Sequence, residues 1–160
     1  GHQPIIFMQC GPIRYSADAK VQMTSQTFTR LLVPRFTAYR ELTDDKSTYA
    51  RMIQKMVKDE NRNNLIIDDV RKTLTEGRSP IVLTNLTTHV ETLANALAPY
   101  CKYVVTLIGS ESAREKHQKM ELLQGISPTE PLVIVATGKY VGEGFDYPRL
   151  NTLFLALPVS

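Results

Sequence analysis

Short apolar runs alternate with amphipathic segments along the second half of the chain. Four runs rich in β-branched and aliphatic residues predict strands: "IVLTNL" (81–86), "YVVTLIG" (103–109), "LVIVAT" (132–137) and "NTLFLALP" (151–158). Near-continuous apolar strands separated by helices are typical of a parallel sheet that is covered on both faces. The pattern therefore predicts an α/β fold with a mainly parallel sheet.

The segments between these strands carry helical patterns. The segment "TTHVETLANALAPY" places apolar residues on one helical stripe, with Thr87 or Thr88 as the predicted cap and Pro99 as the predicted end. Ser112 and Glu115 have the spacing of a capping box, which predicts the start of a second helix that continues to Gly125.

The first half of the chain has a different pattern. Strands are predicted at "IIFMQC" (5–10) and "FTRLLV" (28–33), and two apolar stripes predict helices over residues 49–57 and 65–74, the second ending at Gly77. The sequence therefore divides into a β-rich lead-in segment, residues 1–45, and an α/β domain, residues 46–160.

Composition limits the class of protein. With 160 residues, 42% hydrophobic and 22% charged, the chain has the make-up of a globular domain, and its net charge of +3 is only a weak preference for anionic partners. The apolar runs are far shorter than the roughly 20 residues of a membrane span. No basic segment of a signal peptide is present, so we expect a cytoplasmic protein without membrane contact. Cys10, Cys101, His89 and His117 show no metal-ligand spacing.

Three glycines lie close together in "ATGKYVGEGFD" (136–146), directly after an apolar strand. Parallel sheets bind ligands beyond the carboxyl ends of their strands, and this segment follows such an end. A Walker A loop is excluded because Val133 stands where its first glycine would be, and the third glycine of a Rossmann fingerprint is missing. Gly142 and Gly144 either allow close approach of a ligand or serve only as turn residues.

The segment "VATGKYVGEGFDYPRLNTLFLALPVS" (135–160) resembles motif V, with the strand after it, of the second RecA-like domain of superfamily 2 helicases. Ala136-Thr137, Gly144, Asp146 and Pro148 match that motif in register. "IVLTNLTTHVETL" (81–93) resembles motif IV, and "TLIGSESAREKHQKM" (106–120) resembles the strand and helix that follow it. The variant is similar to bacterial DEAD/DEAH-like helicases of restriction and defence systems.

This resemblance implies a three-layer RecA-like domain with two surfaces. It implies ATP contacts at Gly142, Gly144 and Asp146, where Asp146 would accept hydrogen bonds from the ribose hydroxyls. It implies nucleic acid contacts at a second set of residues: Thr84, Asn85, Gly109, Arg114, Thr137, Gly138 and Lys139. The alternatives are that Thr84 and Asn85 only cap a helix, that Arg114 and Lys139 are solvated, and that Asp146 caps a local turn.

Several parts of an ATPase are missing from these 160 residues. No segment is a Walker A loop or an acidic D-E-x-[HD] box, and the arginine-bearing motif VI is absent, so no catalytic residue and no metal ligand is predicted. We expect a part of a larger translocase that binds ATP and Mg²⁺ together with the first RecA-like domain of the same parent chain. We expect no cofactor on this chain alone.

Nucleic acid is the expected partner, DNA in preference to RNA. The alternative function is a stand-alone α/β domain that binds a phosphorylated small ligand or a protein partner.

Overall fold

A parallel sheet forms the centre of the computed structural model, which describes residues 31–40, 49–142 and 145–158. Its four strands within these residues are β1 (Pro80–Thr84), β2 (Tyr103–Leu107), β3 (Leu132–Thr137) and β4 (Thr152–Leu155), in the spatial order β2-β3-β1-β4. All three strand pairs are parallel, and Val82 lies level with Val135 on one side and Phe154 on the other.

Helices connect the strands. The helices within the described residues are α1 (Tyr49–Lys58), α2 (Glu60–Thr75), α3 (Thr87–Leu97), α4 (Ala113–Gly125) and the short α5 (Gly138–Gly142). A 3-10 turn, Ala98–Tyr100, follows α3. Helix α2 ends at Thr75 with Glu76 as its C-cap, and the predicted terminator Gly77 follows with a φ of 73°, in the left-handed region that favours glycine. None of the helices in the described residues is both long enough and apolar enough to cross a bilayer.

Two apolar clusters lie on opposite faces of the sheet. On one face, Val70 of α2 and Leu93 of α3 pack against Val82 and Val135. On the other face, Leu123 of α4 belongs to a cluster that also contains buried strand residues: Ile81, Leu83, Leu107 and Ile134. All six residues of β3 are buried, as expected for a central strand with both faces covered. The predicted three-layer α/β fold is confirmed.

Local details differ from the sequence predictions at two places, the start and the end of α3. The N-cap of α3 is Leu86, with no side-chain cap, and neither Thr87 nor Thr88 fills that position. Leu86 packs against the cluster formed by α1 and Leu157, so its side chain faces the interior at the start of the helix. Helix α3 ends at Leu97, two residues before Pro99. By contrast, the predicted capping box of Ser112 and Glu115 is present at the start of α4.

The glycine-rich segment is not entirely a loop. Residues 138–142 form the short helix α5, and its central residue Tyr140 is buried in the same cluster as Leu123. Burial of this aromatic ring outweighs the low helix propensity of the flanking glycines.

The lead-in segment lies mostly outside the described residues. The chain separates into two units, Gly1–Phe36 and Thr37–Ser160. The predicted strand 5–10 and residues 28–30 of the second predicted strand are not described, and residues 31–40 form no strand or helix.

Candidate nucleic-acid interface

Three neighbouring strands end at the same edge of the sheet and bring most of the predicted nucleic acid residues together. Thr84 is the last residue of β1 and lies level with Thr137, the last residue of β3. Gly109 follows the end of β2, and Gly138 begins α5 directly after β3. Because all the strands are parallel, these positions share the carboxyl-terminal edge, where α/β sheets bind their ligands.

Gly109, Thr137 and Lys139 form the tightest group at this edge, which we call the edge cluster. The backbone N–H of Gly109 donates to Oγ1 of Thr137 at 3.0 Å. The side chain of Lys139 lies over Gly109, since a Cβ added to that glycine would come within 3.0–3.1 Å of three carbons of the lysine. Gly109 therefore provides room for the lysine stem. Lys139 itself is exposed.

Thr84 has a different environment from the edge cluster. It is fully buried, and its hydroxyl lies 2.8 Å from Nδ1 of His89. Nε2 of His89 lies 3.0 Å from Oδ1 of Asn63, whose Nδ2 donates to the carbonyl of Val57. Because Oδ1 of Asn63 is an acceptor, His89 carries its proton on Nε2 and accepts at Nδ1 from Thr84. The only donor of Thr84 is used, so its side chain is not available to a phosphate.

His89 is held neutral by this environment. Burial, and next the positive charge of Arg62, lower its pKa from 6.5 to about 4. Both ring nitrogens of His89 are therefore occupied by hydrogen bonds within the fold. The network from Val57 to Thr84 joins α2 and α3 to the end of β1 without using exposed groups.

Asn85 contacts the chain that leaves β4. Its Nδ2 donates to the carbonyl of Pro158, and Arg62 of α2 donates to the carbonyl of Ala156. Ala156 N–H also donates to the carbonyl of Leu83 at 2.8 Å. Asn85 is exposed and keeps further hydrogen-bonding capacity, yet its observed contact ties β1 to the segment after β4.

Arg114 lies in the first turn of α4, beside the loop that contains Gly109. It is exposed, and the loop is fixed by Lys119, whose ammonium donates to the carbonyl of Thr106 and to the carboxylate of Glu111. Arg114 and Lys139 therefore place two exposed cationic side chains on segments that meet at the carboxyl-terminal edge.

Of the three predicted ATP residues, the structure describes Gly142 and Asp146. Gly142 ends α5, is exposed, and has no described atom within 4 Å of an added Cβ. Gly144 lies outside the described residues. Asp146 is exposed on the segment between α5 and β4, and no hydrogen bond to its carboxylate occurs within the described part of the chain. A turn does follow, from the N–H of Leu150 to the carbonyl of Tyr147, without a contribution from Asp146.

Other possible sites are less informative. Residues 31–40, 49–142 and 145–158 contain no group of three or more His, Cys, Asp or Glu side chains placed to hold a metal ion. A cavity of about 220 Å³ lies by Arg71, Tyr100 and Pro131. Pro131 directly precedes β3, so this cavity is at the opposite edge from the edge cluster.

Comparison with solved structures supports the fold. The chain is similar to T4 UvsW, a superfamily 2 helicase, with a TM-score of 0.58 and 19% sequence identity over 71% of this chain. The match spans 22% of the length of T4 UvsW. No protein-family model and no curated protein sequence matches the chain. At this identity the likeness shows the fold alone, which is a RecA-like α/β domain with a parallel sheet.

Proposed function

We propose that this chain is the second RecA-like domain of an ATP-dependent superfamily 2 helicase or translocase, and that it binds nucleic acid at the edge cluster. The observation that carries the proposal is the contact between Gly109 and Thr137 beneath Lys139. Two segments that resemble separate helicase motif regions meet there, at the edge where parallel sheets bind ligands. Gly138 and the exposed Arg114 extend the same surface.

A phosphate group suits the chemistry of this surface. Exposed lysine and arginine side chains attract phosphates without reading base sequence, and backbone N–H groups add directional contacts. The Thr137 hydroxyl accepts a hydrogen bond from the Gly109 N–H, so its own proton can still be donated to a phosphate oxygen. With few cations involved, binding to single strands should be weak, with on the order of one to three counterions released.

The ATP role is assigned to a second surface, on Gly142, Gly144 and Asp146. An exposed carboxylate without a partner in the described residues fits an acceptor for ribose hydroxyls. The 160 residues contain no phosphate-binding loop and no acidic box, so a first RecA-like domain would hold the phosphates and Mg²⁺. The chain alone should therefore hydrolyse no ATP. DNA in preference to RNA, and a restriction or defence context, rest on the sequence of the motif V segment.

Oligonucleotide binding by two charge-reversal variants tests the proposal. Fluorescence anisotropy with a labelled single strand should show that Lys139→Glu weakens binding about three- to tenfold and lowers the salt slope by about one. Lys102→Glu is the matched control. Lys102 is exposed, pairs with Glu130, and lies directly before β2, at the edge of the sheet opposite the edge cluster. Equal losses in both variants would contradict a localised site.

A different outcome would favour a different function. If the chain binds inorganic phosphate or a small phosphorylated ligand but no oligonucleotide, the stand-alone binding domain replaces the helicase role.

A further inference from the structure

The segment around Asp146 has an alternating arrangement. Phe145 and Tyr147 are partly buried and pack against the cluster beneath α4, whereas Asp146 between them is exposed. The ring of Phe145 lies 5.8 Å from that of Tyr140, edge to face, and 6.5 Å from that of Tyr147. The two inward rings thus hold the Asp146 side chain toward solvent.

A hydrogen bond fixes the inward side chain directly after Asp146. The hydroxyl of Tyr147 donates to the carbonyl of Leu123 at 2.9 Å, and Leu123 is fully buried in α4. The same carbonyl also accepts from the N–H of Ile126 at 3.4 Å, so it keeps a partner if the tyrosine hydroxyl is removed. The main effect of this hydrogen bond is therefore to hold the Tyr147 ring in its partly buried position. The carbonyl of Leu123 does not depend on it.

Arg149 fixes the segment a second time. Its guanidinium donates to Oγ of Ser79 at 3.0 Å, to the carbonyl of Ser127 at 3.0 Å and to the carbonyl of Glu130. Ser79 precedes β1, while Ser127 and Glu130 precede β3, so one side chain joins three groups at the amino-terminal edge. The guanidinium spreads its donors over three nitrogens in a rigid planar fork, whereas an ammonium donates from a single atom.

We infer that Tyr147 and Arg149 are positioning residues for Asp146, and that they hold its carboxylate in the place where it meets a ribose. The inference rests on the proposed nucleotide role of Asp146. Neither residue touches the nucleotide. Their effect is to limit the freedom of the segment from Asp146 to Arg149. This restraint matters because small displacements of a binding group cause large losses of affinity.

Ribose discrimination measures this effect in the full-length ATPase. The quantity is the ratio of kcat/KM for ATP to that for 2′,3′-dideoxy-ATP, which lacks both ribose hydroxyls. Tyr147→Phe should lower this ratio about three- to tenfold, through a higher KM for ATP with kcat nearly unchanged. Arg149→Lys should lower it as well. Tyr100→Phe is the control. Tyr100 is a half-exposed tyrosine whose ring contacts the guanidinium of Arg71, and it is remote in sequence from Tyr147.

Asp146→Asn separates the inference from the function on which it rests. If Asp146→Asn lowers the ratio and Tyr147→Phe does not, the positioning role is wrong and the nucleotide role stands. If Asp146→Asn leaves the ratio unchanged, both are wrong.

Amide hydrogen exchange on the 160-residue chain gives a second test that needs no ATP. Tyr147→Phe should speed exchange at residues 145–150 while the melting temperature stays within about two degrees of the original. Unchanged exchange in that span would overturn the inference.

Discussion

The backbone N–H of Gly109 donates a hydrogen bond to the side-chain hydroxyl of Thr137, and this contact joins the end of β3 to the loop after β2. The two residues are 28 positions apart in the chain. Their proximity follows from parallel pairing of adjacent strands, which places both strand ends at one edge. The proposed nucleic acid site is therefore built on the sheet, with one short loop added.

Thr137→Val should destabilise the chain by about 1–2 kcal/mol. The substitution keeps the shape of the side chain but leaves the Gly109 N–H without its acceptor in a partly buried position. Urea unfolding measures the change, with Thr88→Val as a control because Thr88 is exposed on α3. A loss no larger than that of the control would show that the contact contributes nothing.

Gly109→Ala should weaken oligonucleotide binding about two- to fivefold. The new methyl would lie 3.0–3.1 Å from carbons of Lys139, and ordinary carbon contacts are about 3.5–4.0 Å, so the lysine stem must move. Gly125→Ala is the matched control, because a Cβ there meets nothing within 4 Å.

The same change can be repeated with the lysine shortened. In a Lys139→Ala background, Gly109→Ala should have little further effect on binding, because most of the crowded carbons are gone. Additive losses would mean that Gly109 acts on binding by another route.

Acid should destabilise the fold through His89. Its pKa is about 4 in the folded chain and 6.5 as the ordinary value, so between these pH values the unfolded chain binds more protons. The free energy of unfolding should fall as pH drops from 6.5 to 4, by up to about 3 kcal/mol from this group. Above pH 6.5 this group should add no pH dependence to the stability.

Two histidine variants isolate this contribution. Urea unfolding between pH 4 and 7 should give a flatter profile for His89→Gln. His117→Gln, at an exposed position on α4, is the control. An unchanged profile in His89→Gln would contradict the assignment to His89.

Asp146→Ala should leave the stability of the isolated chain within about 0.5 kcal/mol, because the carboxylate is exposed and makes no hydrogen bond within the described residues. In the proposed full-length ATPase it should reduce ATP use about ten- to a hundredfold, if Asp146 accepts from the ribose as proposed. Melts of the chain and ATPase assays of the parent provide the two measurements. Clear destabilisation with unaffected ATPase activity would assign Asp146 to the local turn.

Much of the fold was predictable because its signals are local. The strand runs of β1, β2 and β3 lie within a few residues of their observed bounds, and β4 is shorter than its apolar run. Ser112 and Glu115 of the capping box are only three positions apart, so the pattern is visible in the sequence. Parallel pairing followed from the apolar character of the strands.

The site was less predictable because its contacts are long-range. Asn63 and His89 are 26 residues apart, and no short-range pattern indicates that their hydrogen bond leaves Nδ1 of His89 to accept from the hydroxyl of Thr84. The start of α3 depends on the packing of Leu86 against another helix, which propensity does not include. The helical turn of α5 depends likewise on burial of Tyr140.

An NMR titration of the isotope-labelled chain with a single-stranded oligonucleotide tests the central claim most directly. The account predicts that the largest amide shift changes occur at Gly109, Thr137, Gly138, Lys139 and Arg114, and that they diminish as salt is raised. Amide shift changes centred on Arg71 and Tyr100 at the opposite edge, or no changes at all, would contradict it.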